Sequence, residues 1–525
     1  MKKKRALLAL AVLPLAAYLG SSLAQMRQAV PVTPPGDALF TSTASVTSLA
    51  IGPDGELWAG TTGGILHREA TGLWKKYTRR NGLPSNEVQQ IQVDENGIVH
   101  AHLPRAVAVF KQNTWEVSKA VIPPNAAQAV EIEWQSNTVQ ATPGGLRIRQ
   151  KTEKEWKSIA LPASRGSHVS AMMLKGGQLW LALYGDGVWS YDGSQWRKPV
   201  LSVPEAARDT TALAFDEKTQ TLWLGTRRGG IWQYANSTWQ QYRQPDEPLE
   251  HNAQRLAFYD GSLYMSTLED GLQKRSSQGW QQVSYPTLSS GATRCLVPFG
   301  GKLYVRHGGG KVDAFDGRDW TTNVFPQLPR QKAFAMAADS NKLLIAQWGG
   351  WSEWDGKQWA HFLRIPELQG IPVMAIFPMG DKVWLGTQSR GVGEYSRSLQ
   401  TFRWHDERHG LPDDWITCFS QSGNTLFAGT FVGGLARFDG KRWHATPELA
   451  GDNVTDLRSD SHGNLFIATR RGVWQRDKTG ALKKMNNAHP WLDTEAQALW
   501  ASPQGLWVGL RTGVAFLQNK KGMKL

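Results

Sequence analysis

Only two cysteines, Cys295 and Cys418, occur in 525 residues, too few for an architecture stapled by disulfides. No segment sustains a helical period, and past the first twenty residues there is no apolar run long enough to cross a bilayer. No linker or low-complexity stretch divides the chain. The net charge is +14, of which Lys2, Lys3, Lys4 and Arg5 supply four, so residues 25–525 carry +10 with no concentrated polybasic run. That balance favours anionic ligands or surfaces slightly and argues against nucleic acid. Of the twelve histidines only His405 and His409 stand at a His-x-x-x-His spacing and none is beside a cysteine, so neither a metal nor any other cofactor is called for.

What the chain has in quantity is glycine, 53 residues, and tryptophan, 25. This composition suits many turns and many thin aromatic-filled layers. Leu222 to Tyr234 reads Leu-Trp-Leu-Gly-Thr-Arg-Arg-Gly-Gly-Ile-Trp-Gln-Tyr, a β-hairpin whose glycines serve the turn. Looser copies start at Leu57, Ile98, Thr138, Leu179, Leu222, Leu263, Leu303, Leu343, Val383, Leu426, Leu465 and Leu506, twelve in all and 39 to 43 residues apart. Four short strands in a period near forty residues define a propeller blade. The expected fold is therefore all-β: a β-propeller of twelve four-stranded blades.

Columns of equivalent residues support the alignment. The first strand of each copy carries a large apolar residue at its fourth position, from Leu49 and Ile91 to Leu457 and Leu499. Its third position is mostly small (Ala171, Ala212, Ala335, Ala375, Ala498), with Cys295, Cys418, Glu131 and Asp456 in the same column. The cysteines thus fill small-residue slots three blades apart, too distant for a disulfide. Asp-Gly turns at Asp192, Asp316, Asp355 and Asp439 precede a fourth strand that starts near a tryptophan, as at Trp196, Trp320, Trp359 and Trp443. The twelfth copy lacks that strand, and Asp37 to Thr41 is the expected donor, closing a ring by pairing the two chain ends.

Twelve blades exceed the four to eight typical of one ring, so two propellers of about six blades are expected. The domain reading is a signal peptide over 1–24, with a charged start, an apolar Ala6–Leu19 and a cut before Gln25; an extended segment over 25–45; blades 1–6 over 46–292; and blades 7–12 over 293–525. If the termini pair within one ring, the other becomes an insertion. Export to the periplasm follows from the leader, which would serve as an inner-membrane tether if left uncleaved.

Two connections carry a family resemblance: Asn81-Gly-Leu-Pro-Ser-Asn-Glu-Val88 leading to Asp94-Glu-Asn-Gly97, and His409-Gly-Leu-Pro-Asp-Asp-Trp-Ile416 ahead of Leu426-Phe-Ala-Gly-Thr430 and Gly433-Gly-Leu435. These resemble the two-component regulator propeller repeats over roughly residues 46–517, closely in about half of the copies. The resemblance implies a periplasmic sensor-type propeller that binds a ligand or docks a partner. With no kinase or receiver region in the chain, signalling would fall to another protein.

The turns between second and third strands share a side with the loops that lead into each blade, where propellers commonly bind. In the second half these segments hold Trp348, Arg390, Trp415, Arg470, Arg471, Trp491 and Arg511. Aromatic faces beside guanidinium forks suit an oligosaccharide bearing carboxylate or sulfate. The alternative is plain solvation of arginine and packing of tryptophan, and Arg227 with Arg228 repeats the Arg470–Arg471 pair in the fifth copy. No catalytic residue is assigned. The expected function is a ligand-binding or partner-docking propeller, for a glycan or anionic ligand and a separate membrane sensor or envelope protein. A polysaccharide lyase or glycoside hydrolase and an envelope assembly scaffold stand as alternatives.

Overall fold

The computed structural model describes residues 32–118, 131–142, 145–162, 168–198, 203–284, 286–329, 332–492 and 495–519. The leader at 1–24 lies outside them. Twelve antiparallel sheets of four strands follow one another along the chain, each in simple up-and-down order except the last. Among the described residues the only helical elements are seven single 3₁₀ turns in the connections.

The twelfth sheet is built from Ala496–Ser502, Gly505–Leu510 and Gly513–Gln518, and its fourth strand is Ala38–Phe40. Ala38 pairs with Phe516 and Phe40 with Val514, so the expected closure by the N-terminal segment is realised. Phe40 also fills the wedge between blades, 5.9 Å from the ring of Trp280 and 6.1 Å from Trp507.

Packing between inner strands gives the order of the blades. Blades 6 to 12 pack in sequence, and Ala496–Ser502 returns to Arg255–Tyr259, closing a ring of seven. The first five follow in the order 3-4-5-1-2, because Thr210–Asp216 of blade 5 packs on Val46–Ile51 of blade 1. The connection between blades 2 and 3 runs through residues outside those described. The blades thus divide into a closed ring of seven and a series of five, and the boundary falls in residues 243–254 rather than between 292 and 293. The first unit is an insertion: Ala38–Phe40 belongs to the last blade of the seven-bladed ring, and the chain then crosses at 41–45 and returns at 243–254.

One bond recurs between blades. A Thr or Ser at the second position of the inner strand bulges out of register and donates its hydroxyl to a carbonyl at the start of the next blade. Examples are Ser170 to Thr210 O (2.5 Å), Thr211 to Val46 O (2.5 Å), Thr417 to Val454 O (2.5 Å) and Thr455 to Ala496 O (2.6 Å). Register shifts mark the bulge in each of these strands. Outside this ladder, apolar wedges fill the gaps: Trp58, Trp223, Trp384 and Trp507 are buried on the second strands. Each such ring stabilises by roughly 1.5–3 kcal/mol through apolar area.

Two predictions follow from this packing. Deleting residues 25–41 exposes the strand Gly513–Gln518 and the wedge that Phe40 fills, and is expected to destabilise the ring by at least about 3 kcal/mol. An unchanged chemical-denaturation midpoint would refute the closure. The second concerns Glu394 of blade 9, which accepts from buried His405 at 2.7 Å and pairs with Lys382. Burial alone would raise its pKa, but these two partners overcome it and hold the carboxyl at about 2. A depressed folded pKa contributes stability above the unfolded value of 4.5, and that stability is lost as pH falls towards about 2. Glu394→Gln should therefore remove on the order of 2 kcal/mol at neutral pH, after discounting for solvent, and flatten the acid limb of a stability–pH profile; an unchanged limb would refute the assignment.

Candidate functional site

The two units meet through the same side of each, the side of the approach loops and of the turns between second and third strands. Asn86 donates to Thr512 Oγ1 at 3.3 Å, Arg79 Nη2 to Pro490 O at 2.9 Å and Ser42 Oγ to Leu249 O at 2.6 Å. Arg228 of blade 5 pairs with Asp270 (3.2 Å) and Glu269 (3.8 Å) of blade 6. Where the two crossings run side by side, Glu247 accepts from Thr43 N (2.9 Å) and Thr43 Oγ1 (2.7 Å) and binds Lys76. Lys76 Nζ also donates to Thr41 O at 3.0 Å. Burial pushes the Glu247 carboxyl up and the Lys76 ammonium down, each opposed by the other's charge.

The seven sequence-derived residues all lie on this side of the seven-bladed ring, distributed over blades 8 to 12. The structure brings two of them, Trp415 and Arg470, into one shelf with partners that the sequence reading did not name, and Arg471 and Arg511 lie in the adjoining turns. Trp415 stacks on Phe431 with centroids 4.1 Å apart and planes at 15°, and the Arg470 guanidinium lies 5.7 Å from the Phe431 centroid. Arg470 Nε is 3.7 Å from Glu495 Oε1, and the backbone N–H of Arg511 donates to Glu495 O at 2.9 Å. Asp413 ties the two loops of the shelf together, accepting from Trp415 N (3.0 Å) and Val432 N (2.8 Å). The turn behind them requires glycine at Gly434, where φ is +82° and an added Cβ would sit 2.1 Å from Leu449 O. Arg470, Arg471 and Arg511 are exposed.

The remaining residues stand apart. Trp348 is 45 % exposed on blade 8, 6.1 Å from Phe334. Arg390 on blade 9 leans outward over Trp404 at 5.4 Å. Trp491 is buried in the junction, 5.7 Å from the Arg80 guanidinium of the first unit, so its face is taken by the protein itself and it leaves the ligand set. Of Arg227 and Arg228, which repeat the Arg470–Arg471 pair in sequence, Arg228 is likewise a junction residue, paired with Asp270 of blade 6, whereas Arg227 bonds Tyr184 within its own unit.

A channel of about 280 Å³ runs down the seven-bladed ring, lined by inner-strand residues of every blade from Arg255 to Trp500. Both cysteines are free and lie on its wall. Cys418 is buried, and burial pushes its thiol up to about 12. Asp456 faces the channel, capping Leu457 N (3.0 Å) and Leu499 N (2.9 Å) beside Arg458. Arg255 belongs to the same small-residue column as Asp456, and as a charged exception in that column it was open to detection from the sequence. His100 and His102 bond Asp94 and Gln92 of their own blade, and among the described residues no cluster of His, Cys, Asp and Glu has the form of a metal site.

No protein-family model and no curated protein matches the chain significantly. Among solved structures, a GH74 enzyme of Niastella koreensis is similar at 11 % identity and TM-score 0.51, covering 93 % of this chain and 99 % of that one. The extracellular domain of a hybrid two component system of B. thetaiotaomicron matches at 16 % identity and TM-score 0.45, covering 90 % and 68 %. PorZ, a surface component of the type-IX secretion system of Porphyromonas gingivalis, matches at 13 % and 0.36, covering 93 % and 87 %. At these identities the likeness is one of fold. Among the described residues no helix is long and apolar enough to cross a membrane.

The junction generates a prediction of its own. Glu247→Ala leaves Lys76 buried without its carboxylate, and should destabilise the pairing of the two units by about 3–5 kcal/mol. Limited proteolysis within 243–254 is then expected to accelerate; unchanged cleavage would show that the ion pair does not hold the crossing.

Proposed function

We propose that this chain is an exported, periplasmic ligand-binding propeller whose ligand is an oligosaccharide carrying carboxylate or sulfate groups, presented to a separate membrane sensor or envelope protein. One observation carries the reading. On blades 10 and 11 a stacked aromatic pair, Trp415 and Phe431, adjoins exposed Arg470, with exposed Arg471 next to it in the same turn. An aromatic face takes the apolar side of a sugar ring, and a guanidinium takes the oxyanion beside it in bidentate fashion. Glu495 at 3.7 Å from Arg470 leaves room in the fork for a second acceptor and orients it towards the shelf. The net charge of the chain adds long-range attraction for an acidic polymer.

Thermal unfolding of the mature chain against neutral and acidic oligosaccharides tests this. An acidic ligand at about 100 times its Kd adds about 2.7 kcal/mol of stability, and the shift should vanish in Arg470→Ala combined with Arg471→Ala and in Trp415→Ala. Neutral sugars shifting it equally would refute the arginine role. No shift with any sugar would favour the scaffold reading, in which the exposed face docks an envelope protein. Release of new sugar ends during the incubation would turn the assignment to a lyase or hydrolase.

A further inference from the structure

The ladder of hydroxyls that joins one inner strand to the next is absent from five blades of the seven-bladed ring, with apolar Phe334 and Met374 in blades 8 and 9 and long polar side chains in the other three. At the position held by Thr417 and Thr455 in blades 10 and 11, blades 12, 6 and 7 carry Gln497, Gln254 and Arg294. These longer side chains join each other instead: Gln254 Nε2 donates to Gln497 Oε1 at 2.7 Å, and Arg294 Nη1 to Gln254 Oε1 at 3.4 Å. The interruption gathers positive charge. Arg255 follows Gln254 on the channel wall, and Arg306 pairs in register with Cys295, the residue after Arg294.

We propose that the mouth of the seven-bladed channel at blades 6 and 7 is a site for a small oxyanion, a carboxylate, sulfate or phosphate group, held by Arg255, Arg294 and Arg306. None of the three guanidinium groups pairs with a carboxylate among the described residues. Their bonds go to neutral acceptors: Arg255 Nη1 to Gln254 O (2.8 Å) and Gln497 O (3.3 Å), Arg294 to the Gln254 amide, and Arg306 Nη1 to His307 O (3.2 Å) and Ala333 O (3.4 Å). Arg306 Nε is buried with no acceptor at all. Burial, and then the like charges of Arg255 and Arg294, push the Arg306 guanidinium down from its ordinary value, with Cys295 opposing. Three cations in a partly desolvated mouth are costly unless an anion joins them, and charge-assisted bonds to an oxyanion are the strong form of that compensation.

The one carboxylate on the channel wall, Asp456, does not fill this role. Its oxygens are engaged by two backbone N–H groups and lie near Arg458. The volume of about 280 Å³ falls at the lower edge of the roughly 300–1,000 Å³ of ordinary ligand pockets. It admits a free inorganic anion or the charged end of one sugar ring, not the length of a polymer. The site is separate from the Trp415–Arg470 shelf and stands whether or not that shelf binds glycan.

Cys295 provides a reporter within the unaltered protein, because it lines the mouth and is partly exposed while Cys418 is buried. The experiment is the rate of Cys295 alkylation by iodoacetamide in the mature chain, with sulfate, phosphate, galacturonate or galactose against chloride at equal ionic strength. Sulfate or phosphate at about ten times its Kd should slow labelling about tenfold, in proportion to the free fraction. Protection by galacturonate but by neither inorganic anion would identify a sugar carboxylate as the source, and galactose should have no effect. Arg306→Met and the milder, exposed Arg294→Met should lose the protection, whereas Arg470→Ala with Arg471→Ala should keep it. Equal rates in all anions, or full protection in the Arg306→Met and Arg294→Met variants, would overturn the site.

Discussion

A blade buries both faces of its sheet only against a neighbour on each side, so the structure depends on every inner strand finding the next. The hydroxyl-to-carbonyl bond at the head of the inner strand supports this requirement where Thr or Ser is present. Thr455 bonds Ala496 O in the following blade at 2.6 Å, while apolar wedges such as Trp384 and Trp507 fill the space behind. Closure of the seven-bladed ring then has to satisfy one last sheet. The chain meets it by bringing Ala38–Phe40 onto Gly513–Gln518, which pairs an otherwise open edge and fastens the two ends of the protein together.

That fastening has a topological consequence. With its first strand committed to the last blade, the chain must leave the seven-bladed ring before building any of it, complete five blades elsewhere, and return. Both crossings lie together because they start and end at one place, and Glu247 and Lys76 are buried where they touch. The junction is polar elsewhere too, with Arg228, Asp270, Arg79 and Asn86 all contributing. It resembles an interface between separately stable parts more than the interior of either.

The blades were legible in the sequence because their signals are local. Asp-Gly turns, the Leu-Trp-x-Gly-Thr strands and the fourth-strand tryptophans all sit within one period, and even the N-terminal donor strand is implied by a missing piece of the twelfth copy. The division into five and seven was not. Thr211 bonds the carbonyl of Val46 from 165 residues away, whereas Thr417 bonds Val454 in the next copy along the chain. The two threonines occupy the same column, so the residue type carries no information about which blade comes next. Trp491 illustrates the same limit: a tryptophan in a polar loop reads as a binding face until Arg80, on the other unit, is placed over it. Phe431 was missed as a shelf residue because the stack with Trp415 joins an approach loop to a turn, two segments that the column alignment treats separately.

The hydroxyl ladder is broken in five of the seven blades, by Phe334 and Met374 in blades 8 and 9 and by long polar side chains in blades 12, 6 and 7. Blades 12 and 6, where Gln497 and Gln254 replace the hydroxyl, are also blades against which the first unit packs, through Thr512 and Asp270. Those blades therefore lose an internal tie where they gain an external one. The long side chains released from the ladder can then turn to other uses, and at blades 6 and 7 they bring Arg255, Arg294 and Arg306 to the channel mouth without a countercharge. In a repeat protein each copy is held to the consensus by its neighbours. Among the departures from it, Phe334 and Met374 bring no charge, whereas the three arginines at blades 6 and 7 carry charge that no carboxylate among the described residues balances.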